Sequence, residues 1–251
     1  MVKHCYLKYP WGASWCGMLL FAGKKNILVD SAVEEAFSPF LKNSLAELHL
    51  KIEDIDLVVN THGHADHTGM NELIRANSNA GILNCSNLPE NYIIDGGDYQ
   101  LQILHTPGHT GDSVSFLELS EGILFSGDAN EGSGSRFAGV ALYENAGKLL
   151  ATIEKIRTLY TQNKIQKIYL GHAYHGTCGI LEKDEIIPFL ELSRKMVLSY
   201  DSFIKGLSEN LTLAEQAELL RQEFSVSESV LCKKSAEITV KAHINRGEQL
   251  C

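Results

Sequence analysis

The sequence has few cysteines in any useful arrangement: six in 251 residues, at positions 5, 16, 85, 178, 232 and 251, with no Cys-x-x-Cys pair. That pattern excludes a disulfide scaffold and reads as reduced, mostly buried thiols. Positive charge is also scarce. Lys and Arg number 22 against 31 Asp and Glu, a net charge of −9, the wrong balance for a surface that neutralises phosphates, so no nucleic acid is expected as a partner. No apolar run approaches a membrane span, and the start, Met1-Val2-Lys3-His4-Cys5-Tyr6, lacks the apolar stretch of about 7–15 residues that marks a signal peptide. The expectation is a cytoplasmic protein with no membrane partner. Nucleophile and nucleotide motifs are missing too. Gly12-Ala13-Ser14 and Gly132-Ser133-Gly134-Ser135 are not Gly-x-Ser-x-Gly elbows, and neither Gly-x-Gly-x-x-Gly nor a P-loop occurs.

What is present is an ordinary hydrophobic content of 44%, enough for one sizeable domain with an appendage, and an alternation of strand and helix patterns up to about residue 175. Residues 17–31 read as a hairpin around Gly23-Lys24-Lys25-Asn26, with Asp30 at the end of its second strand. Residues 33–50 carry helical spacing, with Pro39 starting or kinking the helix. The run Ile55-Asp56-Leu57-Val58-Val59-Asn60 is a β-branched strand, and behind it stands Thr61-His62-Gly63-His64-Ala65-Asp66-His67-Thr68-Gly69. Imidazoles and carboxylates are ligands for borderline divalent metals. His62 and His64, at alternate positions of an extended arm, project to one side and can share an ion. Asp66 and His67 turn away at the start of the next element, which suits a second ion roughly 3.5–4 Å off.

Three further strand ends repeat this placement. Residues 101–105 run into Thr106-Pro107-Gly108-His109, residues 122–126 end in Gly127-Asp128, and residues 164–170 stop at Gly171-His172, with His175 beyond. His or Asp at four separate strand ends points to one metal site, because strand ends are where α/β sheets place their chemistry.

With these motifs in order, residues 16–175 resemble the metallo-β-lactamase-fold hydrolases. The resemblance implies a four-layer αβ/βα sandwich with the site at one edge. It implies two divalent metal ions, Zn first with Fe or Mn as alternatives, the first on His62, His64 and His109, the second on Asp66, His67 and His172, and Asp128 bridging. Asp66 and Asp128 are then the catalytic carboxylates, and Asp30 is a supporting residue. His105 and His175 fall outside the ligand set. Members that open β-lactams carry Cys or Ser at the position of Asp128, which disfavours antibiotic hydrolysis. The flavodiiron branch has Glu at His64, which disfavours that redox role. The remaining classes are glyoxalase-II-like thioesterases and lactonases, although Ala129-Asn130-Glu131 lacks a lactonase tyrosine and no basic cluster for glutathione stands out. The implied activity is hydrolysis of a thioester, ester or lactone of a small-molecule substrate by a metal-bridging hydroxide. The alternatives are a single-iron persulfide dioxygenase and a metal-binding regulatory protein.

The sequence divides into residues 1–181, the hydrolase-like domain, and 182–251, a helical extension. Three helices are expected there, with capping boxes at Thr212-x-x-Glu215 and Ser225-x-x-Glu228. They pack on the body, build a homodimer or overhang the metal edge. The Gly/Ser-rich segment 131–139 with Arg136 reads equally as a surface linker and as a substrate-contacting loop.

Overall fold

A computed structural model describes residues 2–11, 14–33, 38–132, 134, 140–172, 174, 177–224, 226 and 230–244. His175, Arg136 and the Ser225–Glu228 capping box lie outside them. The described chain forms two sheets. The first, in spatial order β1 (Lys3–Trp11), β2 (Ser14–Ala22), β3 (Ile27–Val29), β4 (Leu57–Val59) and β5 (Gly81–Leu83), is antiparallel up to β3 and parallel from there on. The second runs β11 (Ile180–Glu182), β10 (Lys167–Tyr169), β9 (Ile123–Phe125), β8 (Val114–Glu118), β7 (Gln100–His105) and β6 (Ile93–Asp95). Only its β9–β10 pair is parallel.

Side chains two apart on a strand share a face, and here both faces are buried. On β2, Leu19 and Phe21 enter a core between the sheets with Val29, Val59, Ile103, Phe116 and Phe125. Cys16, Met18 and Leu20 enter a second core with Leu41, Leu45, Val58 and Ile74, from under helices α1 (Ser38–Glu47) and α3 (Asn71–Asn77). On the second sheet Leu104, Leu117, Leu124 and Ile168 face a third core, shared with helices α4 (Ala146–Thr161), α5 (Ile186–Lys205), α6 (Leu213–Glu223) and α7 (Val230–Ile244). The layers are therefore helix, sheet, sheet, helix. Pro39 sits in the first turn of α1, where its missing N–H costs nothing.

The sequence pattern did not single out β1. Its Leu7 and Tyr9 are buried, but Lys3, Lys8 and Pro10 interrupt the apolar signal, and Pro10 is tolerated because β1 is an edge strand.

The C-terminal helices also hold Gly132, Ala141 and Tyr143, downstream of Asp128. The Gly132 N–H donates to Ser193 Oγ of α5 (3.0 Å), Thr239 Oγ1 of α7 donates to the Ala141 carbonyl (2.8 Å), and Tyr143 Oη meets His243 Nε2 (2.8 Å). Glycine is required at 132: its φ is +57°, and a Cβ there would press on Phe189 of α5.

Candidate metal centre

The His-rich loop takes its shape from a change of backbone state within four residues. His64 is extended (φ −68°, ψ 147°) and caps the short helix α2 (Ala65–Thr68). His62 and His64 therefore project from an extended arm, while Asp66 and His67 turn with the helix. His62 Nε2 and His64 Nδ1 come within 3.0 Å, and His64 Nδ1 lies 3.1 Å from His109 Nε2. Beside this trio a second group forms around His172 Nε2, which is 3.2 Å from Asp66 Oδ2 and 3.3 Å from His67 Nε2. Asp128 Oδ2 stands between the two groups, 3.5 Å from His67 Nε2, 3.5 Å from His109 Nε2 and 3.3 Å from His172 Nε2.

All seven residues expected as ligands converge at one edge of the sandwich. Four strand ends, β4, β7, β9 and β10, deliver them. Two glycine positions make the convergence possible. Gly127, with φ +51°, packs on Thr61, where a Cβ would stand 2.7 Å from Oγ1, and a Cβ on Gly171 would press into the Asp128 carboxylate.

The second nitrogen of four of the five imidazoles is committed to an acceptor. His67 Nδ1 donates to Asp30 Oδ2 (2.7 Å), His109 Nδ1 to the Leu142 carbonyl (2.8 Å), and His172 Nδ1 to the Trp15 carbonyl (3.1 Å). His62 Nδ1 pairs with Thr61 Oγ1 (3.0 Å), whose own proton goes to Asp30 Oδ2 (2.9 Å). This network assigns the neutral tautomers and leaves Nε2 lone pairs converging on one another and on Asp128. Converging lone pairs repel unless a cation lies among them. Donors about 2.0–2.1 Å from one tetrahedral ion stand roughly 3.3 Å apart, and the spacings above match that separation. The residues present therefore fit two divalent ions.

Charge leads to the same demand. Burial, aided by His67 and His109, holds the His62 imidazole well below its ordinary pKa. Burial also works against charge at His67 and His172, but Asp128 beside both, together with Asp30 at His67 and Asp66 at His172, overrides it and holds both pKa values well above the ordinary range. Burial would likewise raise Asp128, and the charges on His172 and His67 hold it well below the usual carboxylate range instead. The carboxylates thus draw positive charge to the place where the lone pairs meet.

Asp30 supports the site as expected. Buried at the end of β3 with φ +60°, it also accepts the Thr61 N–H (2.7 Å) and so ties the strand end to the loop. His105 is elsewhere, its Nε2 against the Leu88 carbonyl (2.8 Å). Three residues at the centre carry no signal in the sequence. Glu131 Oε1 shares the His109 Nδ1 proton (3.1 Å) while Oε2 accepts the Leu142 N–H (3.0 Å). The Tyr174 hydroxyl donates to Asp128 Oδ1 (3.0 Å) and leaves Oδ2 to the imidazoles. Cys16 lies against Asp66 and His172. Among the other described cysteines, Cys232 is buried, Cys5 half-buried and Cys178 exposed.

Residues 9–97 match the family model of the metallo-beta-lactamase superfamily. The chain shares that stretch, which holds the His-rich loop, with the superfamily model. Its structure superposes on a metallo-beta-lactamase family protein of Thermus thermophilus with a TM-score of 0.74, at 18% identity, over 98% of this chain and 93% of that one. This likeness of fold covers both the sandwich and the C-terminal helices. Among curated proteins the chain is 30% identical over 130 residues to a hydroxyacylglutathione hydrolase of Rhodospirillum rubrum, across 47% of this chain and 48% of that protein. It is 29% identical over 191 residues to a protein described as a probable metallo-hydrolase of Methanocaldococcus jannaschii, across 62% and 87%. The chain thus spans about half the length of the Rhodospirillum relative. No helix among the described residues is long and apolar enough to cross a membrane.

Proposed function

We propose that this chain is a dinuclear metal-dependent hydrolase that cleaves a thioester, ester or lactone of a small metabolite. The observation that carries the reading is the position of Asp128 Oδ2, within 3.5 Å of imidazole nitrogens from both donor groups. In this assignment His62, His64 and His109 hold one ion, Asp66, His67 and His172 the other, and Asp128 joins them, with Zn the first candidate and Fe or Mn the alternatives. Such a pair, when bound, makes hydroxide available near neutral pH and polarises the substrate carbonyl.

The rest of the work belongs to the chain. Thr61, Asp30, Glu131, the Leu142 carbonyl and the Trp15 carbonyl hold the Nδ1 protons of four imidazoles, so the Nε2 of those four stays aimed inward. Tyr174 fixes Asp128 so that Oδ2 alone faces both groups. Asp66, with its side chain 20% exposed against 7% for Asp128, is the carboxylate of the pair that solvent reaches. Its other oxygen, Oδ1, would be the one free to take up and return a proton as water adds and the alkoxide or thiolate leaves. The name of the Rhodospirillum relative favours acyl thioesters as the first substrates to try.

The division at 181/182 belongs to the same proposal, with the extension acting as a specificity element that backs the site. Phe189 of α5 lies beside Tyr174, ring centroids 6.5 Å apart, and so touches the residue that holds Asp128. The extension shares a core with α4 and the second sheet. Deleting residues from 208 onward would strip Leu220, Ala236 and Val240 from that core, and a loss of thermal stability is expected to accompany any change in KM.

The test is metal content together with turnover on a panel of acyl thioesters, esters and lactones. About two ions per chain and hydrolysis without oxygen uptake are expected. One iron per chain with oxygen consumption on a persulfide would replace the hydrolase with a dioxygenase. Two ions with no turnover across the panel would favour a regulatory protein.

A further inference from the structure

Cys16 has a place in the fold that an ordinary core thiol would not need. It is fully buried on β2, on the same face as Met18 and Leu20, yet its sulfur, an oxygen of Asp66 and a ring nitrogen of His172 all lie within 4.8 Å of one another. Backbone pairing fixes this arrangement. Cys16 and His172 form an isolated antiparallel bridge, the Gly17 N–H donates to the Gly171 carbonyl (2.7 Å), and the Trp15 carbonyl accepts the His172 Nδ1 proton. Trp15 and Gly17 thus hold the segment of His172 from either side of Cys16, and that register keeps the Cys16 Cβ next to His172. Strand alternation places the residue at the point where the apolar core under β2 gives way to the ligands.

We infer that Cys16 is a further protein donor to the second metal position, bound as a thiolate beside Asp66 and His172. The inference rests on the two-metal reading above. On binding, the S–H proton passes to solvent and a sulfur–metal bond forms, with nothing oxidised. Thiolate is a soft donor and favours Zn over Mn, so the position discriminates between metals as well as holding one.

The experiment replaces the native metal with cobalt(II) in the 251-residue chain and records its absorption spectrum. Wild type saturated with cobalt is expected to show a near-ultraviolet thiolate-to-cobalt charge-transfer band. The band should persist in Cys178→Ser and Cys232→Ser and vanish in Cys16→Ser, with the second cobalt bound at least about tenfold more weakly. A wild-type protein that binds two cobalt ions without this band, or a band that survives Cys16→Ser, overturns the role of Cys16 and leaves the two-metal reading standing. A protein that binds no cobalt overturns both. If Cys16→Ser does not fold, single Ser substitutions of the other five cysteines decide: a band kept through all of them assigns it to Cys16, and its loss in any one overturns the assignment.

Discussion

The two halves of the candidate metal centre are built in different ways. The half on the first sheet comes from one loop, in which His62, His64, Asp66 and His67 lie within six residues and a single switch from extended arm to helical turn separates two pairs of donors. The half on the second sheet is assembled from three distant strand ends, with one residue each at 109, 128 and 172. Local backbone geometry aims the first set. The second is aimed by neighbours from other elements: Glu131 and Leu142 at His109, Tyr174 at Asp128, and Trp15 at His172. A ligand in a compact motif carries its orientation with it, whereas a single ligand on a strand end must borrow it. Damage to the second half should therefore travel through supporting residues, and damage to the first should stay with the ligands and Asp30.

The largest effect is expected at Asp128, which stands between the two donor groups. Asp128→Ala should lower occupancy of both positions and reduce turnover by at least the roughly 10²–10³-fold that loss of one preorganised charge costs. Metal analysis with single-substrate kinetics checks this. Loss of one ion only, with the other retained at full affinity, would show that the two positions are independent.

Chelation comes next. Each ion removed from a site saturated at about a hundred times Kd costs roughly 2.7 kcal/mol of stability, seen as a fall in Tm. The pH dependence of that fall has a definite sign. The pKa values of His67 and His172 are raised above their ordinary 6.5 in the metal-free fold, so their contribution there is fully present below about that pH and is lost as pH rises through the folded values. Metal binding must displace those protons. The gap in Tm between loaded and chelated protein should therefore widen from acid to neutral pH, and a gap that narrows instead would mean the imidazoles are not the ligands.

The supporting carboxylates sharpen the contrast at smaller scale. Asp30→Asn should weaken the ion on His67 by about 100-fold and Glu131→Gln the ion on His109 by about 10-fold, the two ends of the usual range for outer partners. The reason is that Asp30 also holds Thr61, whereas the Leu142 carbonyl continues to accept from His109 without Glu131. Competitive metal titration reads both, and the reverse order would refute this ranking. Tyr174→Phe should have the smallest effect, about 1 kcal/mol of stability for one hydrogen bond, with a modest fall in kcat and little change in total metal bound. Thermal melts and kinetics check it.

How much of this was legible in advance follows the same division. The His62–His67 motif declares its chemistry in six letters because spacing alone puts its side chains on two sides of one loop. His109, Asp128 and His172 were legible as residues at strand ends, since a Gly next to a polar residue after an apolar run marks where a strand stops. Asp30 could be read for the same reason. Glu131 and Tyr174 could not, because nothing local distinguishes a carboxylate or a phenol that faces a ligand from one that faces water. Cys16 was masked by its own strand: with Met18 and Leu20 at alternate positions, it has the spacing of a core residue.

By itself, the sequence determined the alternation of strands and helices, the strand ends that carry the donors and the compact pair of half-sites in one loop, because hydrophobic period and turn chemistry are local. The tertiary structure decided which lone pairs converge, which nitrogen of each imidazole faces inward and which carboxylate oxygen is shared. Those depend on contacts between residues a hundred or more positions apart, such as His67 with His172 and Trp15 with His172, brought together by the packing of two sheets whose apolar faces have no other way to leave water.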